Sequence, residues 1–315
     1  MTSQYETKRL ITFDRIKIKS NYKYLLNTKV KFNEMFHSRS GEKIGIFYSS
    51  KDDINIPYNL YIAVSYIKQT LTLEFSSKIL KEKYPDLISR DTIKECLTNI
   101  NQLNICDIDV DSILSNGAIT SVDVTYDANL ILSDNLLDAL NSQVNNYRRF
   151  KWAHYDKEGI MFTKDVKSKD CTETIILYNK EKEICTSHNK DFLNSLSQPQ
   201  TVMNYFKGKT RFEVTLDTPK KIMNYLNLAD TKISSVLNSD TNPILTQFDK
   251  VFSNSTGNMP NTTFDDYENW AMKIILERYN GDLKLLEQNV RSKFSSRSGA
   301  TKRMKKFETV YHAMT

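Results

Sequence analysis

Residues 174–183 read TIILYNKEKE. At a strand's period of two, Thr174, Ile176, Tyr178 and Lys180 share one face, and Ile175, Leu177 and Asn179 share the other. A tyrosine therefore stands beside a lysine on a strand that is about to end. A phenol with an ordinary pKa of about 10 is a poor nucleophile at neutral pH, so chemistry at Tyr178 requires a cation or metal to stabilise the phenolate. Lys180 on the same face offers part of that charge. The same ring could equally be a packing residue with a wet hydroxyl, so the neighbouring strands decide.

Two further stretches have the same character. In AITSVDVTYDANL (118–130), Val122, Val124 and Tyr126 point inward, while Ser121, Asp123, Thr125 and Asp127 form the polar face. Asp123 and Asp127 are about 13 Å apart on a regular strand, too far to share one metal ion. In TRFEVTLD (210–217), Phe212, Val214 and Leu216 face the core, opposite Arg211, Glu213, Thr215 and Asp217. If the three strands are neighbours, carboxylates, a tyrosine, a lysine and an arginine converge, which suits metal-assisted phosphodiester chemistry. An antiparallel sheet with an ordinary solvated polar face would show the same alternation.

The rest of the chain supplies the frame. Leu10–Lys19, Lys43–Ser49, Asn59–Ser65 and Thr70–Phe75 alternate as strands. Between the first two of these lies a polar, less regular stretch to about Arg39. Ser76–Lys83 reads as a short Ser-capped helix, Ser89–Asn101 as a longer one with Ile93, Leu97 and Ile100 on one face, and Asp134–Tyr147 as another. Phe150–Tyr155 and Gly159–Thr163 suit a hairpin, and Asn189–Phe206 a helical connection. Beyond Pro219 the pattern is helical: Lys220–Leu228, Pro243–Phe252, Phe264–Tyr279, Asp282–Phe294 and Thr301–Ala313, with Gly257–Thr263 the clearest loop. The expectation is an α+β domain over 1–217 built on an antiparallel sheet with flanking helices, followed by a helical region over 218–315 with a basic end.

Composition limits the function classes. Lys and Arg total 44 against 38 acids, a net charge of +6, and Arg291, Lys293, Arg297, Lys302, Arg303, Lys305 and Lys306 lie in a run without an acid. Such a patch suits a polyanion, and a solvated helical face would also produce it. Only 8 Gly and 6 Pro are present and no phosphate-binding G-x-x-x-x-G-K-[ST] occurs, which argues against ATP-driven mechanisms. The four cysteines (Cys96, Cys106, Cys171, Cys185) form no C-x-x-C pair and fit free thiols in a reducing compartment. The N-terminus is too polar for a signal peptide and no apolar run approaches the length of a membrane span, so a soluble cytoplasmic protein with no membrane partner is expected.

SVDVTYD, ILYNKEKE and TRFEVTL, in that order, resemble the motifs of the filamentous-phage gene II replication initiators and related plasmid Rep proteins. FDRIKIK resembles that family's opening strand, and LTLEFSSKILKEK its following strand and helix. The resemblance covers about 10–217. It implies a relaxase-like fold of the HUH type and a rolling-circle initiator. In such an enzyme a tyrosine attacks one origin phosphodiester, keeps the 5′ phosphate as an ester, frees a 3′ hydroxyl for extension, and later reverses the exchange. By position, Tyr178 would be the nucleophile, and Lys180 would stabilise the phosphate or phenolate. Glu183 would be a further acidic participant, and Asp123 and Glu213 ligands of Mg²⁺ or Mn²⁺, with Asp127 the alternative ligand. Arg211 would be a DNA phosphate clamp or the structural partner of an acid.

His37, His154, His188 and His312 are isolated, so the family's frequent H-x-H pair is missing; the metal site would be carboxylate-led, with His154 or His188 as the imidazoles to consider. Tyr126, Tyr147 and Tyr155 are the other tyrosines of the motif region. The implied partners are origin DNA, single-stranded or supercoiled, a host helicase and polymerase, and a second copy of the chain as a homodimer. A non-catalytic DNA-binding replication or regulatory protein of a phage or plasmid is the competing reading. Nicking separates the two.

Overall fold

The computed structural model describes residues 11–132, 150–155, 159–164, 173–244, 272–273, 275–293 and 296–314. These fall into two compact units, the first reaching to Gln247 and the second holding the C-terminal helices. The expected boundary at 217 thus lies inside the first unit. The expected helix 134–147, the loop 257–263 and Cys171 lie outside the described residues.

The first unit is built on a ten-stranded antiparallel sheet. In chain order its strands are β1 (Phe13–Asn21), β3 (Asn33–Phe36), β4 (Lys43–Ser49), β5 (Leu60–Ser65), β6 (Thr70–Ser76), β8 (Ala118–Ala128), β9 (Phe150–Tyr155), β10 (Gly159–Lys164), β11 (Glu173–Asn179) and β12 (Thr210–Leu216). Across the sheet they run β3-β4-β5-β6-β1-β8-β12-β11-β10-β9. A two-stranded ribbon pairs β2 (Leu25–Thr28) with β7 (Cys106–Ile108). Pairs such as β5 with β6 and β9 with β10 join strands consecutive in sequence. The decisive placement is not local: β12, last in sequence, inserts between β8 and β11, so the three motif strands are adjacent.

Alternation sorts the strand residues. Ile16, Ile18, Leu73, Phe75, Val122, Val124, Val214, Leu216 and Ile175 are fully or almost fully buried, and each such side chain contributes about 1.5–3 kcal/mol. Packed on this framework are α2 (Val110–Asn116) against β1, and α6 (Pro219–Leu226) and α7 (Ile233–Leu237) against β8. α6 starts with Pro219 after the Thr218 cap and ends at Asn227, which takes the left-handed conformation. α1 (Ile93–Gln102) buries the expected Ile93, Leu97 and Ile100, together with Cys96.

Several elements differ from the sequence reading. The stretch before Arg39 contains two short strands, β2 and β3, whose burial is too slight to leave an alternating pattern. Ser77–Asp86 is a 3-10 segment kinked at Lys81 (φ 55°) and containing Pro85; Ser76 makes no side-chain cap. The connection after β11 is three helices: α3 (Lys180–Ile184), α4 (Ser187–Ser195) and α5 (Pro199–Phe206), the last opening on Pro199. Tyr84, Leu87, Ile184, Phe192, Leu196, Val202 and Phe206 pack together, joining the 3-10 segment to these helices.

The second unit is described through α8 (Leu283–Lys293) and α9 (Arg297–Met314). Leu286 and Val290 meet Ala300, Met304, Phe307 and Val310, with Met272 and Leu276 completing the cluster. Of the basic run, Arg291, Lys293, Arg297, Lys302, Lys305 and Lys306 are exposed and Arg303 is half-buried. Arg291 donates to Glu287 one turn earlier at 2.9 Å.

Candidate functional site

Register sets the site. Arg211 on β12 stands opposite Asp127 of β8 on one side and Tyr178 of β11 on the other; Glu213 stands opposite Thr125 and Ile176, and Thr215 opposite Asp123 and Thr174. The polar faces of three strands therefore merge into one. β1 extends it by a bulge: Phe13 pairs with Val124 and Arg15 with Asp123, so the intervening Asp14 is an extra residue. Asp14 and Arg15, consecutive in sequence, consequently both bond to groups of the polar face.

At the centre lies Arg211, with no exposed side-chain surface. Its Nε and Nη2 donate to the two oxygens of Asp127 at 2.6 and 2.8 Å, while Nη1 donates to Asp14 Oδ1 at 3.0 Å and to Tyr84 Oη at 2.9 Å. Asp127 is itself only 2% exposed. Arg211 thus has the geometry of a structural partner for acids, the second of the two roles the resemblance allows it. Burial alone would push the Asp14 carboxyl up, but Arg211, Lys180, the Ser77 hydroxyl and Lys78 together hold it down at about 2.

Tyr178 is 6% exposed and its hydroxyl donates to Glu213 Oε1 at 3.0 Å. Burial, then the Glu213 charge, push the phenol well above its ordinary value. The Glu213 carboxyl is pushed up to about 8, first by burial and next by the Asp14 charge, with Asp123 adding to it and Arg211, 3.8 Å away, opposing. Gly159 lies opposite Tyr178 on β10, and no side chain fits there: a Cβ would come within 2.2 Å of Leu177 O and 2.6 Å of Tyr178 Cβ.

The strand ends one residue after the tyrosine. Asn179 caps α3 by accepting from Lys182 N–H at 3.0 Å, so Lys180 begins a helix. Its side chain is still buried, 5.6 Å from the centroid of the Tyr178 ring, and pairs with Glu183 three residues on. Glu183 also accepts from Asn189 Nδ2 at 3.0 Å; burial would raise its carboxyl, but Lys180 holds it below the usual range.

Asp123 is held from another direction. Arg15 donates to both of its oxygens at 2.8 and 3.0 Å, and the Thr215 hydroxyl donates at 2.8 Å. Burial nevertheless raises its carboxyl. Among the described residues no three His, Cys, Asp or Glu side chains group closely enough to hold a metal ion. The oxygens of Asp123 and Asp127 are occupied by arginines, so in this arrangement the implied ligands do not form a donor set for Mg²⁺ or Mn²⁺. His188 is exposed on α4, and the side chain of His154 lies outside the described residues. The basic run belongs to the second unit.

Asp14, Arg15, Lys78, Tyr84 and Asn189 escape a reading by alternation. Strict alternation puts Asp14 with Ile16, on the inward side, because a bulge leaves no periodic trace. Lys78 donates to Asn189 Oδ1 at 2.6 Å, and burial and then Lys180 depress its amine. For Asp14, Arg15 and Lys78 the available signal was that FDRIKIK and LTLEFSSKILKEK resemble family segments; Tyr84 and Asn189 lie outside both.

No curated protein matches the chain. The family model describing the N-terminal part of a phage replication-associated protein, the gene II protein, matches residues 87–235. That span contains β8, β11 and β12 and the helices between the last two, so it includes Asp123, Tyr178, Lys180, Glu183, Arg211 and Glu213. It begins after the segments that supply Asp14, Arg15 and Lys78. Over residues 87–235 the chain is thus similar to the N-terminal part of the phage gene II replication-associated proteins.

Proposed function

We propose that the protein initiates rolling-circle replication by nicking one origin strand through Tyr178 and later rejoining it. The observation that carries this reading is the Tyr178 hydroxyl hydrogen-bonded to Glu213, with Lys180 beside its ring, on strands of a replication family. In the nicking step the Tyr178 oxygen attacks phosphorus and the bond to the 3′ oxygen breaks. The 5′ phosphate stays on the tyrosine, and the 3′ oxygen leaves and takes a proton from solvent. In its ionised form, which predominates only above about pH 8, Glu213 would receive the phenolic proton. Lys180 supplies positive charge where the phenolate forms, and Lys78 adds a second amine in the same region. Because Tyr178 is only 6% exposed, neighbouring side chains must give way before a phosphodiester reaches it. No step is routed through a metal ion. Mg²⁺ and Mn²⁺ enter as variables of the assay, and a host helicase, a polymerase and a second copy of the chain as partners to be tested.

The test is incubation of the purified protein with a supercoiled plasmid carrying its own replicon, with Mg²⁺, Mn²⁺ or chelator, comparing wild type with Tyr178→Phe. The expected result is relaxation with protein covalently on the 5′ end, abolished by the substitution, and the metal and chelator arms decide whether Mg²⁺ or Mn²⁺ takes part. Relaxation that survives would transfer the nucleophile to another tyrosine, such as Tyr126, Tyr147 or Tyr155. Absence of nicking with salt-sensitive DNA binding intact would favour the non-catalytic DNA-binding protein.

A further inference from the structure

A cavity of about 430 Å³ opens beside Asp127, lined by Asp86, Leu87, Tyr126, Tyr205, Asn242 and Ile244. Asp127 and Tyr178 both stand opposite Arg211, so the cavity begins two strand spacings, roughly 10 Å, from the tyrosine. Its volume is in the range of small-molecule sites. Tyr205 is 38% exposed and offers a ring on which a flat base can stack, with Leu87 and Ile244 as apolar walls. Two polar groups give it direction. Asp86, exposed and without a hydrogen bond or ion pair among the described residues, can only accept when ionised. Asn242 spends its Oδ1 on Ile244 N–H at 3.0 Å, which leaves its amide NH₂ to donate. The acidic lining repels a phosphate, whereas Lys209, its Nζ 4.3 Å from the Tyr205 ring centroid, can meet one beside the ring.

We propose that this cavity receives a nucleobase of single-stranded DNA that carries an exocyclic amino group, close to the bond that Tyr178 would cut. The proposal rests on the DNA reading above and adds base selection to it. Asp86 would accept from the amino group of cytosine or adenine, and Asn242 would donate to the adjacent ring acceptor; thymine would present a carbonyl to the carboxylate.

Fluorescence anisotropy with full-length protein and single-stranded octamers of deoxycytidine, deoxyadenosine or thymidine tests this. Wild type is expected to bind the first two about tenfold more tightly than the third. Asp86→Ala, at an exposed position, should bring the three within about twofold, and Tyr205→Ala should weaken all three by about tenfold. A wild type without preference, no binding of any octamer, or a preference unchanged in Asp86→Ala would each overturn the proposal. Wild-type plasmid nicking is scored separately. Nicking without base preference sinks the cavity assignment alone; base preference without nicking sinks the initiator reading and leaves the cavity assignment standing.

Discussion

Replacing Arg211 by methionine removes a cation of nearly matching length from a site with no exposed side-chain surface. Asp127, 2% exposed, loses both donors to its oxygens, and Asp14 and Tyr84 each lose one. Breaking a buried ion pair from one side leaves an uncompensated charge and costs about 3–5 kcal/mol. For a unit of this size that corresponds to a Tm lower by about 6–20 °C. Thermal and urea unfolding followed by circular dichroism, with the urea midpoint compared at constant m, measures it. The double variant Arg211→Met/Asp127→Leu replaces the pair by apolar groups and should recover at least half of the loss, because the unpaired carboxylate is gone. A single variant within about 1 kcal/mol of wild type, or a double variant no more stable than the single, would refute the argument that Arg211 holds the site together.

The same network sets pH behaviour. Asp14 is held at about 2, below its ordinary 3.8, so its contribution is present above pH 3.8 and lost as pH falls toward 2; acid titration of Arg211→Met should show the loss at higher pH. Glu213 runs the other way in chelator-treated protein: its carboxyl is raised from 4.5 to about 8, so the folded state binds the extra proton and stability declines as pH rises between those values, a slope that Glu213→Gln should remove in urea titrations. Gly159→Ala should depress nicking and lower the Tm, since its Cβ meets Leu177 O and the Tyr178 side chain; an unchanged rate would show that Tyr178 tolerates displacement. Replacing the exposed Lys302, Lys305 and Lys306 by Gln should reduce the slope of log K against log salt by about 0.7–0.9 for each phosphate they no longer neutralise, and an unchanged slope would assign these lysines to a merely solvated helix face.

The sequence by itself determined which residues share a strand face. Period two is a local property, so Asp123 with Asp127 and Arg211 with Glu213 could be grouped before any fold was known, and the order of short motifs pointed to the replication family. It also marked most strands and α1. Tertiary structure decided what those faces meet. That β12 lies between β8 and β11 depends on pairing across tens of residues, and only that pairing sets Arg211 between Asp127 and Tyr178. The bulge at Asp14 inverts the side that alternation assigns to it, because one unpaired residue shifts the pleat. From its strand alone Arg211 could be either a DNA phosphate clamp or the structural partner of an acid. It is a buried ion-pair centre because the 3-10 segment and the helices after Tyr178, distant in sequence, close over that face with Tyr84 and Phe206 against its guanidinium.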